Sequence, residues 1–423
     1  MDTWLIVLIS VVATYAVLTI IRVLTAHEKQ VQHQIEHRYG VEDPQFARSI
    51  EGLLPPALVS GNRVAALLNG DEIFPAMLEA IRSAKQTITF ETFIYWSGEI
   101  GSEFAAALTE RARAGVKVHV LLDWLGSNKM DASVLEAMER DGIEVQRYHP
   151  LRWYQMSQLN NRTHRKLLVV DGQVAFTGGV GIADQWTGSA QDEEHWRDSH
   201  FRVEGPVVAQ VQAAFMDNWL KTKGRVLHGP EYYPVLENAG PTPAQMFMSS
   251  PKEGSESARL MYLFSMTCAA RSIRIANAYF IPDDLSIQTL IAARKRGVRV
   301  EIIVPGKKTD VPLVRRASRA RWGPLLEAGV RIYEYQPTMY HCKVMIIDEC
   351  WVSVGSTNFD NRSFRLNDEA NLNLLDTDFA QGQVEVFEQD RGNAREITHA
   401  QWLRRPLREK IKERGASLLR TQL

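Results

Sequence analysis

The feature that most constrains the fold is an internal repeat: one series of elements is written twice along the chain. In the first half, MLEAIRSAKQTITFETFIYW, EFAAALTERARAGVKVHVLLD and SVLEAMERDGIEVQRYHP each read as a helix followed by an apolar strand, and THRKLLVVDGQVAFTGG, Thr163 to Gly179, reads as strand, turn and strand. In the second half, YLFSMTCAARSIRIANAYFIP, IQTLIAARKRGVRVEIIVPG and LLEAGVRIYEYQP repeat the series, and YHCKVMIIDECWVSVGSTN, Tyr340 to Asn358, closes it. Alternating helix and apolar strand predicts α/β lobes with mixed, largely parallel sheets. The repeat predicts two such lobes in tandem, related by a pseudo-two-fold. At 423 residues the chain is also too long for one ordinary core.

The expected organisation is a transmembrane helix over 3–25, an amphipathic connector over 28–57, a first lobe over 58–226, a linker over 227–257, a second lobe over 258–398 and a basic tail over 399–423. The linker is marked by five prolines and three glycines in HGPEYYPVLENAGPTPAQMFMSSPKEGSES. Thr3 to Ile21 runs 19 residues without a charge, close to the ~20 apolar residues that span a bilayer. No basic stretch precedes it, as a secretory signal requires. Arg22, Lys29 and Arg38 follow it while only Asp2 precedes it, which favours a single-pass inner-membrane protein with its body on the cytoplasmic side.

A formal net charge of −1 provides no overall attraction to nucleic acid, so no nucleic-acid partner is expected. The three cysteines, Cys268, Cys342 and Cys350, are too few and odd in number for a disulfide framework. CxxC and HExxH spacings are absent, so neither a metal site nor a cofactor is predicted.

The chemistry sits at the end of each repeat. His164, Lys166 and Asp171 recur as His341, Lys343 and Asp348, with the same offsets. On a strand, residues i and i+2 share a face, so each imidazole and ammonium project together. LLVV and VMII then continue as core strand, and Asp171 and Asp348 stand at the strand ends, where a carboxylate binds turn amides. Gly178-Gly179 and Gly355-Ser356 follow at matched distance, and Asn358 adds a neutral donor. A single His-x-Lys on a strand is most simply a solvated edge. Two matched copies, each closing a lobe, point to one cleft shared by both. Two lysines and an asparagine offer donors to anionic oxygens. Of two imidazoles, one can attack phosphorus and the other protonate the leaving oxygen. That is metal-free phosphodiester chemistry through a phosphohistidine.

These residues carry a resemblance. The duplicated HxKxxxxD with trailing glycines resembles the phospholipase D superfamily over about Asn62 to Pro406, and ETFIYW, HRKLLVVDGQVAFTGG, WRDSHFRVEGP, ANAYFIP and VGSTNFDNRSFRLNDEANL are similar to its bacterial cardiolipin synthases. The resemblance implies that His164 is the nucleophile and His341 the acid and base, that Lys166, Lys343 and Asn358 hold the phosphate, and that Asp171 and Asp348 are structural members of the two sets. It implies that Asp198 and Glu369 orient the histidines through their other ring nitrogens. It further implies phosphatidylglycerol and anionic membrane lipids as partners, transfer of a phosphatidyl group between two phosphatidylglycerols with release of glycerol, and room for a homo-oligomer. Hydrolysis to phosphatidic acid, a nuclease and a non-catalytic scaffold are the rival readings. One departure is plain: Gly181 stands where the pattern carries asparagine. Either the phosphate leans on the second lobe or the first is opened for a bulkier lipid.

Three stretches suit a lipid surface. Leu151 to Arg162 brings Trp153, Tyr154 and Met156 up to the first motif. GKKTDVPLVRRASRARW gathers Lys307, Lys308, Arg315, Arg316, Arg319 and Arg321 into a patch expected near the cleft. The tail from Trp402 has seven basic residues against Glu409 and Glu413.

Overall fold

The computed structural model describes residues 3–25, 31–150, 160–222, 224–251, 256–420 and 422. The first half lays down β1 (Val59–Leu68), β2 (Thr87–Thr92), β3 (Lys117–Asp123), β4 (Glu144–Tyr148), β5 (Arg162–Thr163), β6 (Leu167–Val170), β7 (Val174–Gly178) and β8 (Ser199–Glu204). The second lays down β9 (Thr242–Ser249), β10 (Ser272–Asn277), β11 (Arg299–Pro305), β12 (Arg331–Tyr335), β13 (Lys343–Ile347), β14 (Trp351–Gly355), β15 (Asn367–Leu375) and β16 (Ala394–Ile397). β1 and β9 pair at the centre. Outward from them the order is β8, β7, β6, β2, β3, β4 on one side and β15, β14, β13, β10, β11, β12 on the other, with β16 added at that edge. The two series correspond strand for strand, which is the pseudo-two-fold that the repeat predicts.

The α/β class and the mixed sheet agree with the sequence reading; the parallel majority does not. Parallel pairing joins β2 to β3 to β4, β10 to β11 to β12, and β5 to β15, whereas the remaining strand pairs described are antiparallel. The reason is local. The two motif stretches turn back on themselves within three residues, and a tight hairpin can only be antiparallel.

The segment read as a linker also differs from expectation. Its prolines and glycines lie mostly before residue 244, and the apolar AQMFMS behind them becomes β9, paired with β15 from Ala244 to Ser249. Within the expected connector, α2 (Pro44–Leu53) is capped by Asp43 and buries Phe46 and Ile50. Phe46 meets Trp351 of β14 edge to face at 5.0 Å, so this piece belongs to the second half's core.

Helices α3 (Asn69–Ser83), α4 (Glu99–Arg113) and α5 (Ala132–Arg140) cover one outer face through Phe74, Phe104 and Met138. Beyond α6 (Val208–Lys221) in the chain, α7 (Ser257–Thr267), α8 (Asp284–Lys295), α9 (Pro312–Ala320) and α10 (Trp322–Glu327) follow, and Met261, Leu290 and Leu325 fill the corresponding outer core of the second half. After α11 (Asn361–Arg365) comes α12 (Thr377–Gly392); α6 and α12 meet the inner faces of the sheet in a core common to both halves, with Phe215, Trp219 and Phe387 in it. The strands alternate between these layers. Leu168 and Val170 pack outward and Leu167 and Val169 inward, so a run of four apolar residues is buried on both faces. The chain ends in α13 (His399–Leu403) and α14 (Leu407–Ser417).

Residues Thr3–Thr25 form helix α1, with Trp4, Leu8, Val11 and Leu18 exposed. Among the described residues no helix is long and apolar enough to cross a membrane. The expected single membrane pass is therefore not supported.

Candidate active site

Each motif histidine is placed by backbone pairing with the other half. β5 runs parallel to the start of β15, with Thr163 opposite Asp368, and the His164 amide donates to the Asp368 carbonyl at 2.9 Å. Symmetrically, Tyr340 bridges Arg197, and the His341 amide donates to the Arg197 carbonyl at 2.8 Å. In both cases the peptide paired with the histidine precedes the acid that holds its ring. His164 Nδ1 lies 3.1 and 3.0 Å from the two carboxylate oxygens of Glu369. His341 Nδ1 lies 2.7 Å from Asp198 Oδ2. Each imidazole thus meets a carboxylate from the opposite half, leaving Nε2 for chemistry.

Both rings open into one cavity of about 430 Å³, lined also by Lys166, Asn358, Trp186 and Tyr279. The proposition that two imidazoles from distant parts of the chain share a cleft is met in the geometry. Lys166 Nζ donates to the His164 carbonyl at 2.6 Å, and Lys343 Nζ to the His341 carbonyl at 2.6 Å. Lys343 Nζ also stands 3.1 and 3.2 Å from the two His341 ring nitrogens. Asn358 is buried, and its Oδ1 has no protein partner.

Asp171 and Asp348 lie elsewhere. Asp171 accepts from the amides of Lys85, Gln86 and Thr87 at 2.8, 2.7 and 2.9 Å. Asp348 accepts from those of Ala270, Arg271 and Ser272, each at 2.7 Å. Each carboxylate ties the motif hairpin to the turn that starts β2 or β10. Both residues adopt positive φ, 51° and 54°, which aspartate tolerates in tight turns.

The glycines after each motif clear room for the acids. A Cβ at Gly179 would sit 2.2 Å from Asp198 Oδ1. The second half has Ser356 there instead, whose hydroxyl donates to Glu369 Oε2 at 2.5 Å. Asp198 takes its equivalent support from Trp186 Nε1 at 3.0 Å and the Ser199 amide at 2.8 Å. At Gly181 an added Cβ would come within 2.8 Å of Ile94 Cβ, so an asparagine does not fit without displacing that wall.

Burial shapes the electrostatics. It drives the His164 imidazole down to about 4 against the pull of Glu369, and burial and Lys343 hold His341 below its ordinary value. Lys166 falls to about 7 through burial and the nearby Lys343 ammonium, and burial lowers Lys343. Burial alone would raise Asp198 and Glu369, but attraction to His341 and His164 holds each below its usual range. The resting site therefore has ionised carboxylates beside neutral imidazoles. A phosphate anion brought in beside them favours the charged form of both lysines.

Sequence reading missed several residues of this site. Behind His164, Thr163 donates to Glu91 at 2.5 Å and Asp123 accepts from the Thr163 amide at 3.1 Å. Burial pushes Glu91 up to about 7. Trp186 and Trp196 flank His341 at ring distances of 5.3 and 5.7 Å, and Arg362 lines the cavity. The stretch that carries the basic patch reaches the cavity through Asp310 and Val311, but its cations are largely paired: Arg315 and Arg319 converge on Glu334, Arg321 pairs with Asp284 and Lys308 with Glu193. Lys307 and Arg316 line a separate cavity of about 420 Å³. The aromatic lead-in over 151–159 lies outside the described residues.

Comparison with known proteins agrees with this geometry. The family described as "Cardiolipin synthase, PLD-like domain" matches residues 77–219 and 263–391, one match in each half. A cardiolipin synthase of Geobacillus kaustophilus is 35% identical over 371 residues, covering 87% of this chain and 73% of the relative. Cardiolipin synthase 2 of Bacillus anthracis is 35% identical over 84% of this chain and 69% of its own. Among solved structures, phosphatidylserine synthase of Haemophilus influenzae Rd KW20 superposes with a TM-score of 0.70 at 16% identity, covering 90% of this chain and 99% of that one, a likeness of fold.

Proposed function

Because the chain belongs to the cardiolipin synthase, PLD-like domain family, we propose that it makes cardiolipin by moving a phosphatidyl group from one phosphatidylglycerol to another. The observation that carries this reading is the single cavity holding both histidines, each braced by a carboxylate from the opposite half. In the first step His341, which takes up a proton at Nε2 as the phosphate anion enters and is held by Asp198 through Nδ1, gives that proton to the leaving oxygen as His164 Nε2 attacks the donor phosphorus and the P–O bond to glycerol breaks. Lys166, Lys343 and Asn358 neutralise the equatorial oxygens. In the second step His341 takes the proton of the acceptor's hydroxyl, whose oxygen displaces His164 from phosphorus. The low basicity of His164 supports its role as nucleophile, because a neutral ring keeps its lone pair at neutral pH.

Both substrates are lipids, so the chain must meet a bilayer. Two elements suit such contact, namely α1 with its exposed apolar side chains and α14 with Leu407 and Ile411 exposed among basic residues and Leu418 exposed just beyond its end. The function itself is tested by incubating purified protein with phosphatidylglycerol vesicles and identifying products by mass spectrometry. Cardiolipin and glycerol in equal amounts are expected. Phosphatidic acid without cardiolipin overturns the synthase reading in favour of hydrolysis.

A further inference from the structure

Cardiolipin carries two phosphodiesters, so donor and acceptor each bring an anion into the cavity. Lys166, Lys343 and Asn358 serve the phosphorus under attack, which leaves the acceptor's phosphate to be held by something else. We propose that Arg362 binds the phosphodiester of the acceptor lipid and so selects a phosphatidylglycerol over a simpler alcohol; this assignment rests on the cardiolipin reading above.

Arg362 lies on α11, four residues beyond Asn358, and lines the same cavity. Its guanidinium donates to Asn160 Oδ1 at 3.1 Å, the Asn160 carbonyl at 3.3 Å and the Gln422 carbonyl at 3.4 Å. All three acceptors are neutral. Among the described residues no carboxylate lies within ion-pair distance of it, whereas the nearby Arg162, Arg165 and Arg197 each have one, in Asp123, Asp217 and Asp390. Its nearest acid neighbour in sequence, Asp360, is buried and pushed up to about 7, so it is a weak counter-ion. Burial and then the Arg162 guanidinium, partly offset by Asp360, lower the basicity of Arg362. A half-buried cation without a paired anion gains most from a ligand that supplies one, and a planar fork suits two phosphate oxygens. Asn160 and Gln422 hold the fork in place without neutralising it.

In the step concerned, the acceptor's hydroxyl oxygen forms the new P–O bond, the P–N bond to His164 breaks with its electrons returning to the ring, and the hydroxyl proton passes to His341. Arg362 acts on which hydroxyl arrives, not on the bonds. The test therefore follows partition of one intermediate. Phosphatidylglycerol vesicles are incubated with isotopically labelled glycerol in solution. Transfer to a second lipid yields cardiolipin, and transfer to glycerol yields labelled phosphatidylglycerol. Both products draw on the same phosphatidyl-histidine, so their ratio is insensitive to the amount of folded enzyme and to donor binding. The expected result for Arg362→Gln is a fall in the cardiolipin-to-exchange ratio of at least about 10-fold, the scale of a lost charged hydrogen-bond pair. Arg362→Lys, which keeps charge but not the fork, falls between. An unchanged ratio overturns the assignment, whether both rates are kept or both fall together. So does loss of both products in Arg362→Lys, which places the arginine in the fold or the chemistry. If the wild-type protein exchanges glycerol but makes no cardiolipin, the underlying synthase reading fails instead.

Discussion

At the residue scale, the two histidines are near-equivalent by position and are told apart by chemistry. With a donor whose leaving group needs no proton, such as a p-nitrophenyl phosphodiester of the lipid, His341→Ala should still release a burst of nitrophenol and accumulate phosphohistidine, measured by intact mass. His164→Ala should give no burst. With phosphatidylglycerol itself, His341→Ala should lose about 10² to 10⁴-fold, the usual worth of a general acid. A burst from His164→Ala and none from His341→Ala reverses the roles. The pH profile follows from the same burial. His164 is held down to about 4, so it stays neutral, and able to attack, until pH falls toward that value. Lys166 is brought down to about 7, so its charge, and the free enzyme's grip on an anion, fades as pH rises through 7. The profile of kcat/KM should therefore fall on the alkaline side no later than about pH 7 and on the acid side toward pH 4; an alkaline limb above pH 9 removes Lys166 from phosphate binding. The sequence made His164, Lys166, His341 and Lys343 legible because they recur at fixed spacing, and Asn358 because it follows the second motif directly. It made Asp198 and Glu369 legible only through resemblance, because each serves a histidine more than a hundred residues away. Arg362 and Glu91 carried no signal, since an arginine without a carboxylate and a glutamate pushed toward neutrality are defined by their surroundings.

At the scale of elements, the motif aspartates act as ties between hairpin and turn. Each accepts three backbone N–H groups at the entry to β2 or β10. Asp171→Ala and Asp348→Ala should each cost about 1–3 kcal/mol for orphaned donors, read as a lower Tm in thermal denaturation. Turnover per folded molecule should be kept, because neither side chain reaches the cavity. Loss of kcat without loss of Tm refutes the structural role. Helix-then-strand units were readable because their apolar periods switch from 3.6 to 2. β9 was not, because its prolines at 241 and 243 dress a central strand as connector; Pro243 is accommodated near the start of the strand, where a missing N–H is tolerated. The parallel majority failed for a similar reason. The pattern of apolar residues fixes which faces are buried but says nothing of direction, and the tight turns at Asp171-Gly172 and Asp348-Glu349 decide it.

At the scale of the whole molecule, the repeat suggests two domains that could unfold separately, and the contacts argue against it. β1 and β9 join the two series of strands, and β9 then runs along β15 for six residue pairs. The inner core draws Phe215 and Trp219 from the first half and Ile346 and Phe387 from the second. The site adds its own crossed stitches: His164 to Glu369, His341 to Asp198, Tyr148 to Asp368, and Arg197 to Asp390 at 2.9 Å. Separating the halves takes from Asp198, Glu369 and Asp368 the hydrogen-bond partners His341, His164 and Tyr148, which is unfavourable. A lobe that opened alone would therefore gain chain entropy but lose the shared core and orphan those charged groups. The expected outcome is one cooperative denaturant transition for the full chain in detergent. Tryptophan fluorescence and hydrogen exchange in peptides from residues 77–219 and from residues 263–391 should share a midpoint. Activity should vanish over the same denaturant range, since no half retains a histidine with its acid. Two resolved midpoints, one for each set of peptides, would show that the lobes are independent folding units, and the catalytic pairs would then be a docking interface rather than part of a common core.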